Sequence, residues 1–365
     1  MHERHEMPPI TPDVIVFSAF AAFRPSSSDD PREQDLDDIL NAAQSSAADA
    51  GTAADSSVRA PSSPRLRQLA PPTTLSDVVY GISLQAARKY LWLNIYKQLL
   101  AYVTLVLIGS VVAAAAKTVG VTGDNEHRWY LARKSNIFNQ WFVKLGWAWT
   151  MGLLGPFVYM TAVVYSSNNQ RNIRQQLARL LVATLLWFVC TSVFINVEQR
   201  TGRCSLAKLS GTSRQACHAQ SGAWTHGFDI SGHCFMLVYC CLIISEEVKV
   251  FRNWDAMLKM LETPDAPELT AVDAADVQTS ITYHKQYTPV IKYLVMALAC
   301  LHALWELMLL MTVFYYHTMP TKIFGTAIAI ACWLLTYHGW YTTNLSPGLP
   351  GHGPLRYSTW KRKTQ

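Results

Sequence analysis

The sequence predicts an all-α membrane protein with six transmembrane helices and a disordered cytosolic N-terminal tail. Half of the 365 residues are hydrophobic and only 15% are charged, whereas soluble domains carry roughly 25% charged residues. A helix needs about 20 largely apolar residues to cross the hydrocarbon core. Segments of this kind occur at about 99–116, 145–165, 180–197, 228–245, 293–314 and 323–343.

The chain before these segments has a different composition. Residues 1–75 are rich in Ser, Ala, Asp and Pro, so they contain too little apolar surface to offset the entropy lost on ordering. We therefore expect a disordered tail at 1–75, a membrane domain at 76–345 and a basic tail at 346–365.

The distribution of basic residues predicts the orientation of the helices. An even number of spans places both termini on one side of the membrane. The short loop between the second and third spans contains Arg171 and Arg174, and the C-terminal tail contains Lys361, Arg362 and Lys363. Short basic segments of this kind remain in the cytosol, so we expect both termini to be cytosolic.

Two cysteines lie in the polar loop after the third span, on the predicted non-cytosolic side. Cys204 and Cys217 could form a disulfide there, because such bonds persist in oxidising compartments and are rare in the cytosol. The sequence alone does not decide whether they are bonded. None of the cysteine spacings is typical of a zinc site, and we expect neither a metal nor a cofactor.

Two histidines are the strongest candidates for catalysis. His233 opens the fourth span and His317 follows the fifth. Consecutive spans run antiparallel, so the start of one and the end of the next lie on the same membrane face. Paired imidazoles suit nucleophilic attack and leaving-group protonation at a phosphoryl centre. The alternative is that each histidine only makes structural hydrogen bonds.

Residues near these histidines could bind a phosphate. Gly232 permits close approach of a ligand to the backbone, and a helix start offers free N–H groups to an anion. Its neighbours Asp229 and Ser231 are candidates for a supporting role. Lysine and amide side chains donate hydrogen bonds to phosphoryl oxygens, which makes Lys134, Asn136 and Lys144 candidates for phosphate binding. Lys144 could instead only extend its ammonium group to the membrane surface.

At these residues the chain resembles the fat storage-inducing transmembrane (FIT) proteins over about residues 85–350. The matching stretches are 134–149 (KSNIFNQWFVKLGWAW), 190–192 (CTS), 227–235 (GFDISGHCF), 246–247 (EE), 316–317 (YH), 340–341 (WY) and 346–350 (SPGLP). The stretch at 227–235 is the most specific of these.

The resemblance implies a six-span endoplasmic reticulum protein that is related to the lipid phosphate phosphatases. It further implies cleavage of fatty acyl-CoA into acyl 4′-phosphopantetheine and adenosine 3′,5′-bisphosphate. By position, His317 matches the attacking histidine, His233 matches the one that protonates the leaving group, and Lys134 begins the phosphate-binding motif. Residues 305–325, which surround His317, contain neither Arg nor Asp, so neither residue type can orient the His317 ring from nearby in the sequence. We therefore expect Glu198 or Asp229 to orient His317.

The function expected from this resemblance is a fatty acyl-CoA diphosphatase with a lumenal active site, which supports lipid droplet formation and lipid homeostasis in the endoplasmic reticulum. Its partners would be fatty acyl-CoA, diacylglycerol, triacylglycerol and membrane lipids, with no nucleic acid. Two alternatives remain open at this point. One is a non-enzymatic protein that binds and partitions neutral lipid, and the other is a lipid phosphate phosphatase.

Overall fold

The computed structural model describes residues 74–118, 130, 136–205, 214–225, 227–263, 272–343, 346–351 and 355. Nearly all of the predicted N-terminal tail lies outside these residues, as do most of the predicted basic tail and Lys134. The helices are α1 (Leu75–Leu91), α2 (Ile95–Thr118), α3 (Gly146–Tyr165), α4 (Gln170–Thr201), α5 (Arg214–Ala219), α6 (Gly232–Glu247), α7 (Trp254–Leu261), α8 (Ala274–Tyr315) and α9 (Met319–Trp333).

Shorter elements complete the described chain. A π-helical turn, Phe138–Val143, precedes α3, and a second one, Leu334–Trp340, continues α9. A 3-10 helix, Val248–Asn253, continues α6. Strands β1 (Arg203–Cys204) and β2 (Trp224–Thr225) pair antiparallel, with Arg203 opposite Thr225.

The prediction of an all-α membrane protein is confirmed. Within the described residues, α2, α3, α4, α8 and α9 with its π-helical continuation are long and apolar enough to cross a membrane. The fourth predicted span corresponds to α6, which has 16 residues, whereas a span needs about 20. A total of six spans therefore stays a prediction.

Two of the long helices extend far beyond their apolar segments. α4 begins at Gln170 and α8 at Ala274, although the predicted spans begin at 180 and 293. At α8 the side chain of Asp273 accepts the N–H of Ala275, and at α4 that of Asn169 accepts the N–H of Arg171. These N-caps satisfy backbone donors that the helix leaves unpaired, so the caps rather than hydropathy determine where the helices begin.

Helix α6 occupies the centre of the bundle. Every residue from Cys234 to Glu247 is buried, and α6 packs against α8 and α9. The indole of Trp147 on α3 stacks on both Trp187 of α4 and Tyr239 of α6. The surrounding helices thus fix the position of α6, including the residues at its N-terminus.

A buried ion pair lies where α6 ends. Arg179 of α4 donates from Nε and Nη2 to the two carboxylate oxygens of Glu247, each at 2.8 Å. Arg179 also donates to Gln176, and Glu247 accepts the hydroxyl of Tyr337 at 2.7 Å. Both charged side chains are 1% exposed, so this network joins α4, α6 and the π-helical continuation of α9 away from water.

Candidate active site

The two candidate histidines lie together at one end of the bundle, where α6 begins and α8 ends; we call this the histidine end. The centroids of the His233 and His317 rings are 5.9 Å apart, and the ring planes are inclined by 48°. One phosphorus atom can therefore lie within reach of both imidazoles.

The local structure at the start of α6 positions His233. Ser231 is the N-cap of this helix, and its hydroxyl accepts the N–H of Cys234 at 3.3 Å. Its own backbone N–H donates to the carbonyl of Thr321 on α9 at 3.1 Å. Ser231 is fully buried, so this N-cap supports the helix start that carries His233.

His317 stands at the sharp turn between α8 and α9. Its φ angle is 56°, a left-handed conformation that few residues other than glycine adopt, although histidine is among those enriched there. Residues held in such conformations are often part of functional sites. Pro320, in the first turn of α9, suits the restart of the helix because the missing N–H would be unpaired there in any case.

Asp229 contacts His317 directly. Its Oδ2 lies 3.3 Å from Nδ1 of the imidazole, and its side chain is 56% exposed against 19% for His317. A partner at Nδ1 favours the tautomer whose Nε2 carries the free lone pair. Glu198, the other predicted orienting residue, lies near the end of α4, where its backbone carbonyl accepts the N–H of Gly202.

The predicted phosphate-binding residues Lys144 and Asn136 differ in their exposure to solvent. Lys144 is exposed, and its ammonium group donates to the side-chain oxygen of Gln140. Asn136 is buried, and its side-chain oxygen accepts the N–H of Asn139 at 2.7 Å. That bond gives Asn136 a structural role at the π-helical turn. Its predicted role in phosphate binding, like that of Lys144, stays a prediction.

A disulfide closes a loop that follows α4. Cys204 and Cys217 are bonded, with their Cα atoms 5.8 Å apart. The chain then returns towards the site, where the N–H of Phe228 donates to the hydroxyl of Thr201 at 2.7 Å. This bond fixes the segment leading to Asp229 against the end of α4.

Sequence reasoning missed the first turns of α9. Besides Thr321, which accepts the Ser231 N–H, this helix contributes Gly325 at a close contact. A Cβ atom on Gly325 would lie 2.4 Å from the carbonyl oxygen of Ser231, a distance that real Cβ contacts do not reach. Glycine is therefore required for α9 to pack against the turn before His233. A glycine in an apolar span gave no specific signal in the sequence.

We expect Gly325→Ala to destabilise the protein by about 1–3 kcal/mol, the usual cost of overpacking. The added methyl group meets a backbone atom, which cannot rotate away, so α9 and the Ser231 turn must separate. Thermal unfolding in detergent measures this effect. Gly152→Ala is the matched control, because a Cβ there meets no described atom within 4 Å. Equal melting temperatures for the two variants would contradict the packing argument.

Comparisons with known proteins agree on one family. The family described as fat storage-inducing transmembrane protein matches residues 127–337. The acyl-coenzyme A diphosphatase FITM2 of Drosophila melanogaster is 30% identical over 305 residues, covering 80% of this chain and 69% of the relative. The Homo sapiens protein of the same name is 38% identical over 227 residues, covering 60% and 76%. The Caenorhabditis elegans protein is 28% identical over 290 residues, covering 80% and 92%. No solved structure matches the chain.

Proposed function

This chain belongs to the fat storage-inducing transmembrane protein family, and we propose that it hydrolyses the diphosphate of fatty acyl-CoA. The products would be acyl 4′-phosphopantetheine and adenosine 3′,5′-bisphosphate. The observation that carries this proposal is the His233–His317 pair with a ring separation of 5.9 Å. The relatives named as acyl-coenzyme A diphosphatases support the choice of substrate.

In the proposed first step, Nε2 of His317 attacks one phosphorus of the diphosphate and forms a P–N bond. The anhydride P–O bond breaks, and the departing phosphate oxygen takes a proton from the imidazolium form of His233, which the negative charge of the bound diphosphate favours. Asp229, which lies 3.3 Å from Nδ1 of His317, stabilises the positive charge that develops on the attacking ring.

In the second step, water attacks the phosphohistidine. Neutral His233 accepts the proton from that water, the P–N bond breaks, and His317 is regenerated. Charge on the equatorial oxygens needs preorganised donors. We assign this role to Lys134 and Lys144, together with Asn136 and the N–H groups at the start of α6.

We assign the protein to the endoplasmic reticulum membrane, with both termini in the cytosol and the histidine end in the lumen. The Cys204–Cys217 disulfide in the loop that leads back to this end supports the orientation, because disulfides form in oxidising compartments. The acyl chain would lie among the apolar helices while the nucleotide faces water. Diacylglycerol, triacylglycerol and membrane lipids are proposed partners of the same membrane domain.

The test is cleavage of oleoyl-CoA by the purified protein in detergent, beside phosphatidic acid as the competing substrate. We expect adenosine 3′,5′-bisphosphate and acyl phosphopantetheine in equal amounts by mass spectrometry, and much slower release of phosphate from phosphatidic acid. Comparable rates on both substrates would indicate a lipid phosphate phosphatase. Binding of diacylglycerol with no cleavage of either substrate would indicate a neutral-lipid binding protein.

Gly232→Ala tests where the diphosphate lies. A Cβ on Gly232 meets no described atom within 4 Å, so the fold has room for the methyl group and the melting temperature should not fall. If the phosphates approach the start of α6, that methyl group displaces them. We expect kcat/KM to fall about 100-fold, since a displacement of about 1 Å has such an effect. Unchanged kcat/KM would show that the substrate does not approach this backbone.

A further inference from the structure

A buried lysine lies close to the proposed site. Lys322, in the first turn of α9, is 3% exposed, although an ammonium group inside a membrane protein is costly and is kept mostly where it has a function. Its Nζ donates to the backbone carbonyl of Val313 at 2.6 Å. The positive charge of Lys322 also interacts electrostatically with the thiol of Cys234, the residue after His233.

The bond to Val313 is made at the end of α8, four residues before His317. The last four carbonyls of a helix lack partners within the helix, and the negative end of its dipole favours a cation. The N–H of Tyr316 closes the final turn by donating to Thr312, after which His317 takes its left-handed conformation. The ammonium of Lys322 therefore supplies a donor and a positive charge where α8 ends.

Thr321, the residue before Lys322 on α9, binds the segment that carries His233. Thr321 accepts the backbone N–H of Ser231, the N-cap of α6. Two consecutive residues of α9 thus bind the segments that carry His233 and His317. A small shift of this turn would change the separation of the two rings.

We propose that Lys322 is a positioning residue for the reaction of His317. Its ammonium group binds the C-terminal end of α8 and so fixes the turn on which His317 stands relative to His233. This inference rests on the proposed acyl-CoA cleavage. Lys322 binds the protein backbone rather than the substrate, so loss of its ammonium group should slow the chemical step without weakening substrate binding.

The test compares kcat and KM for oleoyl-CoA among variants of the full-length protein. Lys322→Met keeps an unbranched side chain one atom shorter and removes the ammonium, and we expect kcat to fall about 10- to 100-fold with KM within about threefold. Lys322→Arg keeps a charged donor, so it should recover much of the lost kcat. Thr326→Val is the matched control. This buried residue lies one turn further along α9, and its hydroxyl makes no hydrogen bond within the described part of the chain.

A rise in KM with unchanged kcat in Lys322→Met would overturn the proposal, because it would place the lysine on the substrate phosphates. Wild-type kinetics in Lys322→Met would overturn it as well. If that variant does not fold, Lys322→Gln decides, and the proposal requires a lower kcat at unchanged KM. An inactive wild-type protein would instead refute the proposed function.

Discussion

Replacing His317 with asparagine is expected to lower kcat for acyl-CoA cleavage by at least about 1,000-fold, because the variant lacks the attacking nitrogen. Asparagine is preferable to alanine here, since it tolerates the left-handed backbone that His317 adopts at φ 56°. The fold should therefore survive the substitution. Hydrolysis of oleoyl-CoA, followed together with the melting temperature, measures both effects.

The partner variant His233→Ala removes the proposed proton donor and should lower kcat about 100- to 10,000-fold. The two variants differ in covalent labelling. After acid-free quenching with substrate labelled in its diphosphate, His317→Asn should carry no label, whereas His233→Ala should still acquire label slowly. His218→Ala serves as the control, because His218 is an exposed histidine on α5. Full turnover by His233→Ala and His317→Asn would contradict the mechanism.

Topology alone could predict that these histidines share a site. His233 begins one apolar segment and His317 ends the next, so antiparallel spans bring them to one end whatever the details of packing. The identity of the orienting carboxylate could not be chosen in this way. Glu198 and Asp229 both belong to that end, and the choice depends on the course of the backbone between α4 and α6. In the structure, Oδ2 of Asp229 lies 3.3 Å from Nδ1 of His317, and its orienting role stays a prediction.

Contacts that depend on helix rotation could not be predicted. Lys322 and Gly325 face α8 and α6 because of the rotation of α9 about its own axis. Close packing of the side chains sets this rotation, and an evenly apolar sequence does not indicate it. The extent of α8 shows a similar limit. Hydropathy marked residues 293–314, whereas the helix begins at Ala274 after the Asp273 N-cap. Hydropathy marks the apolar segment of a helix, whereas the helix itself can continue beyond that segment.

The second large effect is expected at the opposite end of α6. Arg179→Met or Glu247→Met should each reduce the free energy of unfolding by about 3–5 kcal/mol, because removing one partner leaves the other charge buried and uncompensated. Both side chains are 1% exposed and joined by two hydrogen bonds of 2.8 Å. Reversible unfolding in mixed detergent and SDS micelles measures the change.

The double variant Arg179→Met/Glu247→Met separates charge burial from general loss of packing. Replacing a whole buried pair with apolar side chains is often close to neutral, although here Gln176 and Tyr337 would lose partners. We therefore expect the double variant to be more stable than either single one, so that its loss of unfolding free energy is smaller than the sum of the two single losses.

Asp255→Asn is the control, because the Arg88–Asp255 pair is partly exposed and such pairs contribute about 0–1 kcal/mol. Additive losses at Arg179 and Glu247 would show that the two residues stabilise the bundle through separate contacts.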